Sequence, residues 1–438
     1  MKLILLCLFV LLCPTKLYAQ FGMNILSEDF EMNEKFKKLR ADFPILHQEV
    51  NGYPLVAFDN ASTSHKPQSV IDVVVQFYTT INANTFRGVY LFAEEATRQY
   101  ENARKKIAQF IGADPEEVIF TRGCTSGINF IAATWADANV QAGDEIVITE
   151  LEHHSNLLPW QRLAQKKGAV LKFIPIFSDG TVDLSSLDSI ITNKTKMVSV
   201  IHVSNAVGTH VDIEPIIKRA HAVGARIMID AAQSVSHQRI NVHELDCDFL
   251  VFSGHKLLGP TGIGVLYIKK ELHDAIEPYE VGGGMVKDVD CVAVTWAAAP
   301  QKFEAGTPSI AQAIGLGTAV DYVGTHINFD DLIAYEAQLC ARLIDGLSEI
   351  EGIKILGRIA ELKEKGSMVS FLVENYHSHD VAAFLDKRGI FVRAGHHCAQ
   401  PFAKKLGYDA SVRVSFSFYN TPEEVDVLIT AIQELVKS

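Results

Sequence analysis

Short apolar runs alternate with helical patterns along the first two thirds of the chain. Most of these runs are rich in valine and isoleucine and lack polar alternation, which is typical of strands covered on both faces. We predict seven such strands, over residues 118–121, 145–149, 170–176, 197–203, 226–229, 249–252 and 264–268. Helical patterns lie between several of them. The chain is therefore predicted to have an α/β fold in which helices wrap a seven-stranded, mainly parallel sheet.

The regular alternation of apolar strands and helices stops after a helical run that ends near residue 323. Helices are predicted over residues 330–347, 379–388 and 422–436, and strands over 368–373, 390–393 and 412–418. This mixture predicts a smaller α+β domain at the C-terminus. The predicted division is a hydrophobic leader (1–22), an N-terminal segment packing with the small domain (23–50), a large domain (51–325) and a small domain (326–438).

The charge balance argues against one class of partner. The 438 residues include 40 Lys and Arg against 52 Asp and Glu, a formal net charge of −12. A nucleic-acid-binding protein needs a basic surface to neutralise phosphates, so no nucleic-acid partner is expected. The seven cysteines are scattered without a C-x-x-C pair. This usage favours reduced thiols and a cytoplasmic location.

The first twenty residues, MKLILLCLFVLLCPTKLYAQ, argue against a cytoplasmic location. A lysine precedes an apolar run of signal-peptide length that is too short to span a bilayer comfortably. Two interpretations stay open. The run is an export or organelle signal, or the chain starts downstream, at Met23 or Met32. Stable membrane insertion is expected under neither.

Lys256 stands in FSGHKLLGPTGIGVLYI (residues 252–268), directly after a buried strand and before a glycine-rich turn. For an arbitrary lysine, a solvated surface position is the commoner case. Folds of the α/β class, however, bind ligands at the ends of central strands. A lysine partly removed from water has a lowered pKa and can form a Schiff base with an aldehyde. We therefore interpret Lys256 as the residue that binds an aldehyde cofactor.

Other predicted strand ends supply groups that suit pyridoxal 5′-phosphate. Its ring nitrogen needs a carboxylate partner, and Asp230 ends the apolar run of IMIDAAQ, with Gln233 in reach of the phenolic oxygen. Thr125, in TRGCTSGIN, lies at a predicted helix start, where backbone N–H groups bind phosphate. His153, in ELEHHSN, could lie flat over the ring. The structural alternatives are a helix cap or turn residue for Asp230 and a solvated loop position for His153.

These motifs together resemble the class V aminotransferase superfamily of fold-type I pyridoxal-phosphate enzymes. SGHK with GPTG, DAAQ, EHHSN, HVSN and FEAGTP follow the family's order, and RAGHHCAQP (residues 393–401) resembles the Suf-type (group II) cysteine desulfurases. The resemblance runs from about residue 41 to the C-terminus. It implies an enzyme that converts L-cysteine to L-alanine and leaves a persulfide on Cys398.

The resemblance also implies three sets of site residues. The catalytic residues would be Lys256, His153 and Cys398. The cofactor-binding residues would be Thr125, His153, Asn205, Asp230, Gln233, Ser253, His255, Lys256 and, from the neighbouring subunit, Thr307. The substrate-binding residues would be Arg413, which grips the carboxylate, Asn205 and Arg393.

Cys398 admits three interpretations from the residues alone. The adjacent side chains of HHC lack the spacing of zinc sites, so no metal is expected. A buried structural cysteine would be the default in isolation. Beside a lysine that binds pyridoxal phosphate, a nucleophile is the stronger interpretation. His396, His397 and Arg393 are then expected to favour the thiolate, which is the reactive form.

The resemblance implies partners as well: a homodimer, and a small Suf-type acceptor protein that takes the sulfur for iron–sulfur cluster assembly. Three features depart from the family pattern, namely Phe86 where histidine is frequent, Cys124 where threonine is usual, and a shortened segment over residues 285–296. They leave substrate access and partner preference open. The alternatives are a selenocysteine lyase or another class V enzyme, and an inactive homologue that acts as a binding scaffold.

Overall fold

The computed structural model describes residues 34–437. The predicted leader and the first part of the predicted N-terminal segment lie outside the described residues. Among residues 34–437, no helix combines the length and the apolar character needed to cross a bilayer.

A seven-stranded sheet forms the centre of the larger part of the molecule. Its strands, in spatial order, are Val118–Thr121, Gly264–Ile268, Phe249–Ser253, Arg226–Asp230, Thr195–Ile201, Glu145–Thr149 and Val170–Ile174. Gly264–Ile268 runs antiparallel to both neighbours, and all other neighbouring pairs are parallel. Every residue of Phe249–Ser253 is buried, which explains its continuous apolar run. The predicted seven-stranded, mainly parallel sheet is confirmed.

Helices cover this sheet and continue into the C-terminal part. Residues 34–39 are helical, and the α-helices after them in the described part of the chain are Gln68–Gln76, Leu91–Ile111, Cys124–Ile131, Asp137–Asn139, Leu158–Lys167, Leu187–Ile190, Glu214–Ala222, Val242–Leu245, Ile310–His326, Phe329–Ser348, Ile359–Lys365, Ser378–Asp386, Gln400–Lys405 and Pro422–Lys437. Leu91–Ile111 buries one face and ends at Gly112, whose φ of 68° gives the left-handed cap that stops the helix.

A four-stranded antiparallel sheet lies in the C-terminal part, in the order Ile353–Leu356, Met368–Val373, Ser411–Ser415 and Arg393–Gly395. The chain before residue 50 contacts this part, since the Phe36 ring lies 4.7 Å from that of Tyr335. Three two-stranded pairs complete the strands: Glu49–Val50 with Tyr53–Pro54, Val56–Ala57 with Ile390–Phe391, and Val286–Val289 with Val294–Trp296. The domain boundaries remain a prediction.

The predicted strand over residues 390–393 is wrong. Ile390–Phe391 pairs in parallel with Val56–Ala57, whereas Arg393–Gly395 joins the four-stranded sheet beside Ser411–Ser415. One apolar run cannot reveal that its two halves pair with different partners. The strands predicted over 170–176, 197–203 and 412–418 end earlier than expected, at Ile174, Ile201 and Ser415.

Candidate active site

The ends of the parallel strands and two residues of the four-stranded sheet surround one cavity of about 200 Å³. The lining includes ten of the residues predicted from the sequence: Thr125, His153, Asn205, Asp230, Gln233, Ser253, His255, Lys256, Arg393 and Arg413. It also includes Ala61, Ser62, Cys124, Ser155, Ile201, Ala232 and His397. Residues far apart in the sequence meet here because carboxyl ends of parallel strands share one edge of a sheet.

Lys256 and Asp230 come from neighbouring strands. Asp230 ends Arg226–Asp230, and Lys256 closes the 3₁₀ turn that follows Phe249–Ser253. Burial lowers the pKa of Lys256 because it disfavours the ammonium form, and the Asp230 carboxylate partly opposes this. Burial raises the pKa of Asp230, although hydrogen bonds from the Ala232 amide and the Cys124 thiol favour its charged form. Both of those bonds end on Asp230 Oδ1, at 2.9 Å and 3.2 Å.

A hydroxyl-rich turn at the start of helix Cys124–Ile131 also lines the cavity. Gly123 precedes this helix with a φ of 149°, which an L side chain rarely adopts. Ser253 Oγ accepts a hydrogen bond from the Cys124 amide at 2.9 Å, so its own proton is available to a ligand. Thr125 Oγ1 lies 2.7 Å from Ser155 Oγ. The helix start and these hydroxyls form a suitable site for an anion.

His153 is uncharged at neutral pH. Burial, followed by the nearby charge of Lys256, lowers its pKa to about 3. Its Nδ1 accepts a hydrogen bond from the Ser155 amide at 3.0 Å. The ring proton is therefore assigned to Nε2, which makes that atom a donor.

Two arginines form the side of the cavity that belongs to the four-stranded sheet. Arg393 and Arg413 are directly opposite each other on adjacent strands. Arg413 is almost fully buried, and burial lowers its pKa to about 10, so it stays charged at neutral pH. Its Nη2 donates to Asp59 Oδ1 at 2.9 Å. Two cations against one carboxylate leave this side of the cavity positive, as binding of a carboxylate ligand requires.

Cys398 lies in a strained turn beside the cavity. His397 and Cys398 have φ values of 53° and 57°, in the left-handed region that residues other than glycine rarely occupy. The turn is held by the Asn205 side-chain amide, which donates to the His397 carbonyl, and by the His154 amide, which donates to the Cys398 carbonyl at 2.7 Å. The half-buried thiol lies with Sγ 3.8 Å from Arg393 Nη2.

The expectation that His397 favours the Cys398 thiolate is wrong. The His397 ring is buried and its Nε2 lies 2.9 Å from Ser411 Oγ. Burial and the charges of Arg413 and Arg393 lower the pKa of His397 to about 3, so the ring carries no positive charge at neutral pH. Arg393 is the cation placed at the sulfur.

Thr307 does not line this cavity. It lies in a separate groove of about 510 Å³, together with Thr125, Tyr279 and Phe303. Its Oγ1 accepts a hydrogen bond from the Asn84 side chain at 3.3 Å. Among residues 34–437, no cluster of His, Cys, Asp or Glu side chains is arranged to hold a metal ion.

Sequence reasoning missed Ser62 and Ser155 as lining residues. Ser62 belongs to FDNASTSHK, a polar stretch after an apolar run, and that polarity was the available signal. Ser155 follows the two histidines of ELEHHSN. Neither serine stands in a spacing that identifies it, because the arginines that donate to Ser62 and the threonine beside Ser155 Oγ lie in other parts of the sequence.

Comparison with known proteins gives one consistent result. Residues 56–428 match the family model described as aminotransferase class-V. A protein of Halalkalibacterium halodurans named "probable cysteine desulfurase" is 47% identical over 401 residues, which is 91% of this chain and 97% of that protein. A "cysteine desulfurase" of an Enterobacter species is 44% identical over 406 residues, with 92% and 99% covered.

Solved structures agree with this. The apo structure of a cysteine desulfurase from Thermococcus onnurineus NA1 superposes with a TM-score of 0.86 at 42% identity, and covers 91% of this chain and 98% of its own. The cysteine desulfurase CsdA of Escherichia coli, in an S-sulfonic acid form, gives a TM-score of 0.84 at 36% identity with the same coverage.

Proposed function

Because the chain belongs to the class-V aminotransferase family, with cysteine desulfurases as relatives over nine tenths of its length, we propose that it is a cysteine desulfurase. It converts L-cysteine to L-alanine and takes the sulfur onto Cys398. The observation that carries this proposal is the position of the Cys398 thiol, next to Arg393 and beside the cavity that Lys256 and Asp230 line.

The cofactor is pyridoxal 5′-phosphate, and the unpartnered polar atoms of the cavity suit it. The hydrogen bonds from Cys124 and Ala232 both end on Asp230 Oδ1, so Oδ2 is the oxygen that would pair with the ring nitrogen. Asn205 Oδ1 and Arg413 Nε are buried and lack partners among residues 34–437. Thr125, Ser253 and His255 would hold the phosphate, and Gln233 and Asn205 would reach the phenolic oxygen. When bound, the cofactor supplies an aldehyde for amines and a ring that accepts electrons.

Lys256 and His153 handle protons. Burial lowers the pKa of Lys256, which increases the fraction of neutral amine able to take the proton from the substrate's Cα. His153 would lie against the cofactor ring and, with its proton on Nε2, act as a hydrogen-bond donor there. Because its pKa is low, the His153 ring carries no positive charge beside the cofactor at neutral pH.

Arg413 and Cys398 act on opposite ends of the substrate. Arg413 binds the carboxylate, assisted by Arg393 and Asn205, which fixes the direction in which the substrate lies. The Cys398 thiolate then attacks the substrate sulfur. The C–S bond breaks, an S–S bond forms, and Cβ receives the electron pair and a proton, so L-cysteine and a thiol yield L-alanine and a persulfide. Arg393 lies where it stabilises the thiolate before attack.

A homodimer is part of the proposal. Exposed apolar side chains cluster in and before helix Leu91–Ile111: Val89 is 94% exposed and Leu91 74%. A surface of this kind is typical of a subunit interface. Thr307, which lies outside its own cavity, would contribute to the phosphate site of the other subunit.

The sulfur acceptor and the location complete the proposal. A small acceptor protein of the Suf type would take the persulfide sulfur and supply iron–sulfur cluster assembly, as the resemblance of RAGHHCAQP to that branch implies. A cytoplasmic location is supported by the cysteines among the described residues, all of which are free thiols.

The test is alanine release from L-cysteine by the pyridoxal-phosphate-loaded chain starting at Met23, with a reductant present. The parent and Cys291→Ala, which removes an exposed cysteine outside the cavity, are expected to release alanine. Cys398→Ala is expected to release none. Alanine from Cys398→Ala would remove Cys398 from its role and favour a lyase acting on selenocysteine. A parent that binds the cofactor and releases no alanine would favour the binding-scaffold alternative.

A further inference from the structure

The Ser62 hydroxyl makes every hydrogen bond it can make. Its Oγ donates to Asp59 Oδ1 at 2.6 Å, and accepts from Arg393 Nη1 at 2.7 Å and from Arg413 Nη2 at 2.9 Å. A serine hydroxyl has one donor and two acceptor positions, so all three are occupied. Ser62 thus joins the two arginines that line the same side of the cavity.

Both hydrogens of Arg413 Nη2 are used, since they go to Asp59 Oδ1 and Ser62 Oγ at 2.9 Å each. Nη1 donates one of its two hydrogens to the Asn205 carbonyl at 2.7 Å. Nε is buried and has no partner among the described residues. Nη2 is therefore the nitrogen of Arg413 that has no hydrogen left for a further acceptor.

A carboxylate that binds a guanidinium through two hydrogen bonds uses either Nε with Nη2 or Nη1 with Nη2. Both arrangements need Nη2. A substrate carboxylate must then displace Ser62 or Asp59 from Arg413. The neutral hydroxyl makes the weaker bond of the two, since bonds between charged partners are stronger, and it is the group that is displaced.

Arg393 adds to this competition. It is the direct cross-strand neighbour of Arg413, and like charges in that position repel each other. The Ser62 oxygen accepts from both head groups, so its displacement frees a donor on each. A carboxylate that takes its place satisfies both donors and neutralises one positive charge.

Given the proposed function, we propose that Ser62 lowers the affinity of the substrate site, because its hydroxyl competes with the substrate's carboxylate for Arg413 and Arg393. It weakens the binding of every ligand that carries a carboxylate, L-alanine included, and so speeds product release. Removing the hydroxyl is therefore expected to tighten carboxylate binding, whereas removing a positioning residue would weaken it.

The test is a titration of the cofactor-loaded chain with L-alanine, followed by the visible absorbance of the cofactor. Ser62→Ala is expected to lower the dissociation constant of L-alanine roughly tenfold relative to the parent. Ethylamine, which is L-alanine without its carboxylate, is expected to bind both chains equally. In turnover, the KM for L-cysteine falls without a gain in kcat, because substrate and transition state are bound more tightly alike.

Three further variants test whether loss of the Ser62 hydroxyl, and not a general disturbance of the structure, causes the change in L-alanine binding. Ser62→Thr keeps the hydroxyl and is expected to bind L-alanine like the parent. Ser62→Gly also removes the hydroxyl and is expected to bind L-alanine as tightly as Ser62→Ala does. If one of these two variants fails to fold, the other still provides the test. Ser185→Ala removes an exposed serine whose hydroxyl also donates to an aspartate, Asp183, and should change nothing.

L-alanine binding that is unchanged or weaker in both Ser62→Ala and Ser62→Gly would overturn the proposal. An equal change for ethylamine would also overturn it, since the carboxylate would not be the cause. Failure of the proposed function has a different signature, because the parent would then release no alanine from L-cysteine whatever the sign of the Ser62 effect.

Discussion

Burial acts on the ionisable side chains of the cavity according to the sign of their charge. It lowers the pKa values of the bases Lys256, His153 and His255, the last to about 4. It raises the pKa values of the acids Asp230 and Cys124. At neutral pH the two histidines are therefore neutral and Cys124 is a thiol. Arg393 and Arg413 make the side of the cavity formed by the four-stranded sheet positive, which suits the binding of a carboxylate.

The same physics predicts which cysteines react. Cys124, Cys247 and Cys340 are buried, and burial raises their pKa values, which disfavours the reactive thiolate. Cys291 is exposed and Cys398 half-buried beside Arg393. Brief treatment of the native chain with iodoacetamide at pH 7.5 is expected to modify Cys291 and Cys398 only among these five. Peptide mass mapping checks this, and modification of Cys124 before Cys398 would show that burial does not protect the Cys124 thiol.

At the scale of elements, the sequence predicts the framework better than the connections. All seven strands of the central sheet were predictable. Strands such as Phe249–Ser253 and Gly264–Ile268 are fully buried and leave continuous apolar runs, and the edge strand Val170–Ile174, which has one buried residue of five, still has an apolar sequence. Strand Ile353–Leu356 was not predicted from its four residues, of which only one is buried. Lys256 and Asp230 were predictable because each lies at the end of an apolar strand. The role of Ser62 was not predictable because the two arginines that donate to it lie more than three hundred residues away in the sequence. The neutral state of His397 was not predictable because it results from burial, which the local sequence does not show.

Lys66 connects two elements at the base of the site. Its Nζ donates to the His255 carbonyl at 2.9 Å and to the Ser64 carbonyl, which ties the segment after Phe58 to the turn that carries Lys256. Burial lowers the pKa of Lys66 from its usual 10.5 to about 8. Below pH 8 the lysine is charged in the folded and unfolded chain, and the folded chain bears the cost of the buried charge.

This cost disappears as pH rises, because the folded chain loses the Lys66 proton first. The free energy of unfolding of the parent is expected to increase by roughly 3 kcal/mol between pH 8 and 10.5 relative to Lys66→Met, which has no such group. Urea unfolding of both chains at the two pH values measures the difference. Parallel changes in parent and variant would show that Lys66 titrates normally in the folded chain.

The exposed apolar side chains near residue 90 are expected to be buried against another subunit. Val89, Tyr90, Leu91 and Phe92 are adjacent in the sequence and all exposed. Leu91→Glu places a charge in this cluster, and burial of an unpaired charge in an interface is costly. The variant is expected to shift from dimer towards monomer in size-exclusion chromatography with light scattering.

A matched control is Val427→Glu, which places the same charge at an exposed apolar position of helix Pro422–Lys437. It should keep the oligomeric state of the parent. A parent that is monomeric, or a Leu91→Glu variant that remains as dimeric as the control, would contradict the proposed interface.

The transfer of sulfur to Cys398 can be followed directly. The cofactor-loaded chain is mixed with L-cysteine without reductant, and its peptides are analysed by mass spectrometry. One additional sulfur atom is expected on the peptide that contains Cys398, and none on that peptide in Lys256→Ala, which cannot take the substrate's proton. Alanine release with no sulfur on Cys398, or sulfur added equally in Lys256→Ala, would contradict Cys398 as the acceptor in a cysteine desulfurase reaction.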